Sequence, residues 1–555
     1  MRQVAWFVIP ALCGCSSLLG LDEFKPAEGQ AGGGTGGDEN GGESGAASGG
    51  SSGRTGVGGS AGTGGASCVP ETSESCYTGP ASTLDVGVCK TGSRTCDESS
   101  MWGECTGEIL PSVEDCATPA TDENCDGFEC GIWGVAFEQA GGGPMEVVPT
   151  STGGAVLGGI FSGGISIGGK SKSAIDAFDV FVAGLDSSGG VDWLTTLGGT
   201  GSESITALTA AGDGQLYVAV YASDAIDYGD GVRATGTTLI HLTPDGSFVS
   251  SRSLGGNYVF SMHVDTAGMV YAAGSLDEPL NLGAGDLVPV GEDALVLKLE
   301  SDLTLGSGWA RKFGGDGTDS SGGITVDTAG NVYFVGTVGQ GVNFDGNSAT
   351  SSDAAGDAFI AKLNPAGTCV ALRTFGAVGS FEWATGVVVD AAGSATVLGT
   401  YKAPFTLGTQ SVSATDDSLF LARFDFSNTF HVEWLKGLNN LEFTPNVSAH
   451  LVHLAIDDQG STVLTASAVG AVDFGNATAA GFPSGLPTIA KFDKLGNHLW
   501  HRAIGGSEGG FASAANCNAA GEVFAVGTTS SPSFDIGTGS ISSGQASSYI
   551  VKFGK

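Results

Sequence analysis

The residues best placed to do chemistry gather near position 125. Asp122-Glu123-Asn124-Cys125-Asp126-Gly127 sets oxygen-bearing side chains at alternate positions ahead of a glycine, which is how an EF-hand-type calcium loop begins. Where such a loop needs its ninth and twelfth ligands the chain has Cys130 and Trp133. A complete EF-hand is therefore excluded. Two readings remain: a partial loop in which Asp122, Asn124 and Asp126 take calcium, or an Asx-rich turn with no ion. Calcium is the one cofactor the chain invites.

Eight cysteines surround that loop: Cys68, Cys76, Cys89, Cys96, Cys105, Cys116, Cys125 and Cys130. In an exported chain this density is a disulfide framework rather than redox chemistry. Eight cysteines allow roughly a hundred pairings, and spacing does not choose among them. No CxxC pair occurs, which argues against zinc. Trp102, Ile109 and Leu84 are the few large apolar residues nearby, so cross-links must stand in for a core. Cys369 and Cys517 lie far apart in the chain, and whether they pair is open. No G-x-S-x-G, H-E-x-x-H or P-loop pattern appears. His450 and His453, and likewise His498 and His501, are three apart on expected strands, a spacing that sends the two side chains to opposite faces.

Charge narrows the partners. The chain has 59 acidic against 22 basic residues, a formal charge of −37. Such a surface repels phosphate backbones, which sets nucleic acid aside and leaves divalent cations and basic partners as compatible. Gly contributes 95 of 555 residues and charged residues only 15%, a mixture suited to many short strands and tight turns.

The N-terminus reads as an address. Met1-Arg2-Gln3 is a short positive start, and Val4 to Leu12 is an apolar run too short to span a bilayer. It ends in Leu12-Cys13-Gly14-Cys15, which resembles the bacterial lipobox. The resemblance implies a signal peptide over 1–15, lipidation of Cys15, and a place in the cell envelope. By the same resemblance Ser16 and Ser17 favour the outer membrane, surface-exposed or periplasm-facing, with the lipid as the only membrane contact. Residues 16–67 form a tether. From Gly29 to Ser67 it is almost wholly Gly, Ser, Ala and Thr, which cannot build a core and as a coil reaches about 35 Å.

Residues 68–130 make the cysteine-rich module, and residues 131–555 repeat. The clearest marker is an apolar strand, Asp, a turn with Gly, and a second apolar strand. Val264-Asp265-Thr266-Ala267-Gly268 and Val326-Asp327-Thr328-Ala329-Gly330 show it, as do the turns after Asp390 and Asp457. Degenerate copies centre on Gly154, Gly214 and Gly521, so seven turn glycines recur at spacings of 60, 54, 62, 63, 67 and 61. Once per copy there is also a hairpin cue, such as Leu282-Gly283 or Phe344-Asp345-Gly346, and a buried strand, such as Phe359-Ile360-Ala361. Each unit thus reads as a four-stranded antiparallel blade.

Closure follows from the ends. Trp-led strands begin at Trp193, Trp309, Trp434 and Trp500, but the last copy stops at Lys555 before any such strand. The missing strand stands at the other end, Trp133 to Phe137. An N-terminal outer strand completing the last blade would shut the ring and remove exposed edges. The fold class is therefore all-β: a seven-bladed β-propeller with a small disulfide-rich module before it.

The Gly-Gly…Asp-x-x-Gly-x-Val-Tyr…Asp-Ala-Phe…Lys-Leu…Trp pattern, best in Gly314 to Leu363, resembles the SBBP (seven-bladed β-propeller) repeat family of secreted bacterial proteins. That resemblance implies fold and surface location without an activity. The runs at Cys89-Lys90-Thr91-Gly92, Trp102-Gly103-Glu104-Cys105 and Asn124-Cys125-Asp126-Gly127 are similar to cysteine-rich modules carrying a conjectural metal-binding motif.

Residues present in every blade are poor catalytic candidates, because an active site needs a unique constellation. Lys298, Lys362, Arg423, Lys491 and Lys552, with His241, share one strand position; Asp265, Asp327, Asp390 and Asp457, with Asn518, share another. Both read as turn caps and charge pairs of the scaffold. His263 replaces Thr325 or Val388 of its sister blades, which reads either as a scaffold substitution or as a residue facing the channel. The function expected is a monomeric, surface-anchored module binding protein or glycan on the propeller face, with no catalysis evident. The alternatives are a carbohydrate-active hydrolase or lyase using channel carboxylates, or calcium-dependent adhesion through the cysteine-rich module.

Overall fold

In the computed structural model the described residues are 68–80, 83–112, 125, 131–231, 235–349, 351, 356–414, 418–426, 431–442, 453–474, 478–479, 485–504, 509–531, 533–536, 540–542 and 547–554. They fall into two compact units, one built around 68–112 with Cys125 and the other from 131 onward.

The larger unit is a seven-bladed β-propeller. Four consecutive four-stranded antiparallel sheets run from Glu203–Ala210 to His431–Leu438. The sixth blade pairs Leu454–Ile456, Thr462–Ala468, Leu486–Phe492 and His498–Ala503, with Leu441–Glu442 as a second short partner of Thr462–Ala468. The first and seventh blades are joined in one sheet by the 19-residue strand Gly131–Pro149. Its first half is the outer strand of the last blade: Trp133 pairs with Lys552, Val135 with Ile550 and Phe137 with Ser548. Its second half is the innermost strand of the first blade, where Val147 pairs with Leu157. The ring closes as the two chain ends predict.

Local chemistry explains why each repeat folds this way. The seven turn glycines, Gly153, Gly214, Gly268, Gly330, Gly393, Gly460 and Gly521, all have φ between 80° and 87°, a region that costs Gly nothing and other residues a steric clash. In the first blade the turn glycine is Gly153, one residue before the Gly154 expected from spacing, because the turn starts at Thr150, whose carbonyl accepts the Gly153 N–H. In the regular copies Asp265, Asp327, Asp390 and Asp457 each accept the N–H groups two and four residues on with one carboxylate oxygen. The conserved-looking acid is a turn cap.

The hairpin cues are side hairpins between second and third strands. Their apolar tips, Ile167, Tyr228, Leu282, Phe344, Leu407, Phe474 and Ile536, are all at most 7% exposed. In the fourth blade Asp345 accepts the Cys369 N–H and Asn347 donates to the Cys369 carbonyl, so the hairpin lies against the outer strand Cys369–Phe375. A covered outer strand cannot template pairing with another chain.

Candidate functional site

Most of the repeated charge is spent on cohesion. In the fifth and sixth blades the strand cation meets the turn acid directly: Arg423 binds Asp390 and, at 2.7 Å, Glu433, while Lys491 stands 3.0 Å from Asp457. In the third and fourth blades Tyr271 and Tyr333 intervene. Their hydroxyls donate to Asp265 and Asp327, and Lys298 and Lys362 sit over their rings at 5.3 and 4.9 Å. His241 stacks on Tyr217 and shares a hydrogen bond with Gln215. These groups are occupied by the scaffold.

The tryptophans lock blade to blade. Trp133 Nε1 donates to the Ser187 carbonyl, Trp309 to Pro365 and Trp434 to Lys494, in each case a turn of the following blade. Gly189, Gly367 and Gly496 lie beneath those rings, where a Cβ would collide.

The innermost ring breaks the symmetry. Four residues before the turn position stand Glu146, Ala207, Ser261, Gly323, Gly386, His453 and Ala514. In six blades a β-bulge directly precedes this position, and a bulge re-aims the side chain that follows it. Glu146 and His453 belong to the blades flanking the seventh, and Glu146 Oε1 approaches His453 Nε2 to 3.5 Å, too far for a hydrogen bond. Burial raises the Glu146 carboxyl well above its usual range and lowers His453 to about 4, so burial favours the uncharged form of both. In the sequence His453 stands out only beside His450. Aligning the seven innermost strands on their turns is the signal that finds Glu146 beside it. His263 is also depressed to about 4 by burial.

A hydrolase using two channel carboxylates would need paired acids. Among the described residues the inner-position strands carry Glu203 and, in the short segment Leu441–Glu442, Glu442, while Gly131–Pro149 carries Glu138 and Glu146; Glu146 meets His453.

The histidine pair His498 and His501 corrects an expectation. Their rings share one face: His501 Nδ1 and His498 Nε2 lie 3.1 Å apart in a hydrogen bond, and both rings contact Phe474. The reason is a bulge at Leu499. Lys491 pairs with Trp500 but Phe492 with His498, so alternation slips by one residue. Burial, and then the charge of His501 and Lys436, lowers His498 to about 4.

The loops between second and third strands and those between blades emerge on one face, because antiparallel strands alternate direction. That face carries the exposed apolar residues Ile175 (67%), Val288, Val290, Val378 (81%) and Phe381. The opposite face has short capped turns such as those at Asp186 and Asp493. Leu495 is exposed in one of these turns, and Val249, Val370 and Leu499 are exposed where outer strands leave them.

In the smaller unit, disulfides join Cys68 to Cys96, Cys76 to Cys105 and Cys89 to Cys125. Val69, Met101, Ile109 and Leu110 are exposed, in keeping with a core made of sulfur. Cys369 and Cys517 are free and buried, and burial raises both thiols to about 12, which makes them inert packing groups. Cys15, Cys116, Cys130, His450 and the loop residues Asp122, Asn124 and Asp126 lie outside the described residues.

No family model and no curated protein matches the chain. Among solved structures it is similar to hydrazine synthase of Kuenenia stuttgartiensis (10% identity, covering 69% of this chain and 92% of that one, TM-score 0.38). It is similar to the C-terminal WD40 domain of Sif2 (10% identity, 76% and 97% covered, TM-score 0.36). A third likeness is to a PL25 ulvan lyase bound to -[GlcA(1-4)Rha3S]- (8% identity, 75% and 96% covered, TM-score 0.37).

Proposed function

We propose that this chain is a cell-envelope lipoprotein, anchored through Cys15 and lifted by its Gly/Ser tether, whose propeller is a binding module. The observation that carries the reading is the asymmetry of the two propeller faces. Turns on one face are short and capped largely by their own Asp or Asn side chains. The other face presents Ile175, Val288, Val290, Val378 and Phe381 to solvent, and exposed apolar groups rimmed by polar loops mark contact surfaces. A protein or glycan ligand docks there, with the aromatic ring of Phe381 as its anchor. The SBBP-like repeats agree with such a role.

The test is an array of envelope proteins and glycans probed with the chain from Cys15 onward. A ligand bound at micromolar concentration, and weakened at least tenfold by Val378→Asp with Phe381→Asp, is the expected result. Equal capture by wild type and double variant would place the contact elsewhere. Asp122, Asn124 and Asp126 are proposed as a weak calcium loop on the strength of their spacing. The melting temperature of the cysteine-rich module then rises with calcium and stops responding in Asp122→Asn with Asp126→Asn.

A further inference from the structure

Three junctions between blades share one acidic arrangement. The carboxylate that opens a third strand stands near one that begins or immediately precedes the next blade's innermost strand: Asp179 near Glu203, Asp293 near Asp319, Asp357 near Glu382. All six are at most 3% exposed. A methyl at Gly314 or Gly376 would collide with both carboxylates of its pair, and one at Gly198 would collide with Asp179. The next N–H donates to the second acid: Gly199 to Glu203, Gly315 to Asp319, Ala377 to Glu382.

The pairs differ in what answers their charge. Lys312 Nζ lies 2.7 Å from Asp293, and Asp319 takes a second N–H from Gly339. The residue at the place of Lys312 in the first junction is Thr196. There Asp179 Oδ1 and Glu203 Oε1 are buried without a hydrogen-bond partner, and so is the hydroxyl of Tyr228, a residue 6% exposed. Tyr228 is close enough to feel the Glu203 charge, and the exposed Asp176 and Asp224 add theirs from the rim. Each carboxylate takes one backbone N–H, from Ile175 and from Gly199, but its second oxygen is buried with neither proton donor nor cation, which is costly. Something must neutralise them.

We propose that the junction of the first and second blades is a cation site, in which Asp179, Glu203 and the Tyr228 hydroxyl hold a calcium ion. The donors are all hard oxygens, the preference of calcium, and water can fill the remaining positions of its flexible shell. Among the described residues no three His, Cys, Asp or Glu side chains converge as a metal shell. Two carboxylates imply a modest affinity, on the order of 10⁻⁴ to 10⁻³ M, as in extracellular calcium modules. In the third blade Lys312 does the same job with a covalently attached charge.

The test is thermal unfolding of the full chain in chelator and in calcium at about ten times the dissociation constant. The propeller transition should rise by roughly 2 °C or more. It should do so equally in Asp122→Asn with Asp126→Asn, and the response should vanish in Asp179→Asn with Glu203→Gln. Thr196→Lys supplies an ammonium where Lys312 stands, so it should hold the high melting temperature without calcium. Terbium bound at the site should luminesce through Tyr228 and dim in Tyr228→Phe. A propeller transition indifferent to calcium overturns the proposal. So does a response lost in the Asp122/Asp126 variant instead. If Glu203→Gln alone raises the melting temperature with or without calcium, the two carboxylates share a proton and no ion is held.

Discussion

At the outer edges of the blades, Trp133, Trp309 and Trp434 repeat one contact at three junctions, each donating to a carbonyl of the next blade's turn. On the innermost ring, the seven residues at the position of Glu146 share no chemistry at all: an acid, a histidine, a serine and four small residues. Repetition serves cohesion, since each blade needs the same edge joined to the same neighbour. Departure from repetition is where one blade can do something its sisters do not. The Glu146–His453 contact and the unanswered acids at the first junction both belong to that second class.

Several substitutions would break or sharpen this contrast. The largest effect is expected at Arg423, whose side chain is 4% exposed. Arg423→Ala leaves Asp390 partly buried without its cation and should cost about 3 to 5 kcal/mol in denaturant unfolding. Trp133→Ala removes the lock between last and first blades and should cost about 3 kcal/mol. If it costs no more than an exposed substitution, the closing strand is not what holds the ring.

The inner ring should show itself through pH. The raised Glu146 carboxyl stabilises fully below its ordinary value and loses that contribution as pH rises toward its shifted one. The lowered His453 contributes above its ordinary value of 6.5 and loses it as pH falls through about 4, a loss of up to about 3 kcal/mol. Glu146→Gln should therefore be more stable than wild type on the alkaline side and no different at acid pH. His453→Gln should flatten the acid limb. Profiles parallel to wild type in both variants would mean that neither group is buried in solution.

Smaller still, Asp327→Ala removes a turn cap and should cost about 1 kcal/mol. Lys298→Ala forfeits only a cation–π contact and should cost less than about 1 kcal/mol in melting experiments. An Asp327 effect as large as that of Arg423 would blur the line between cap and buried ion pair.

Much of the fold was legible because it is written seven times. The turn glycines, the apolar hairpin tips and the missing last strand are local patterns with local causes: a positive φ, a buried side chain, an unpaired edge. His498 and His501 were misjudged because alternation along a strand holds only without a bulge, and a bulge leaves no mark in composition. Gly153 and Gly154 both satisfy the spacing, and only the turn's hydrogen bonds distinguish them. Glu146 lies outside the turn, hairpin and buried-strand patterns that mark the repeats, so nothing local in the chain singles it out.

Blade number, strand order and the join of the two chain ends were determined by sequence alone, since each depends on contacts between neighbours along a repeating chain. The disulfide partners, the meeting of Glu146 with His453 and the grouping of Asp179, Glu203 and Tyr228 were decided by tertiary structure. Those contacts join residues from different strands or blades. Their existence depends on how strands are bent and rings are closed, which no short stretch of residues encodes.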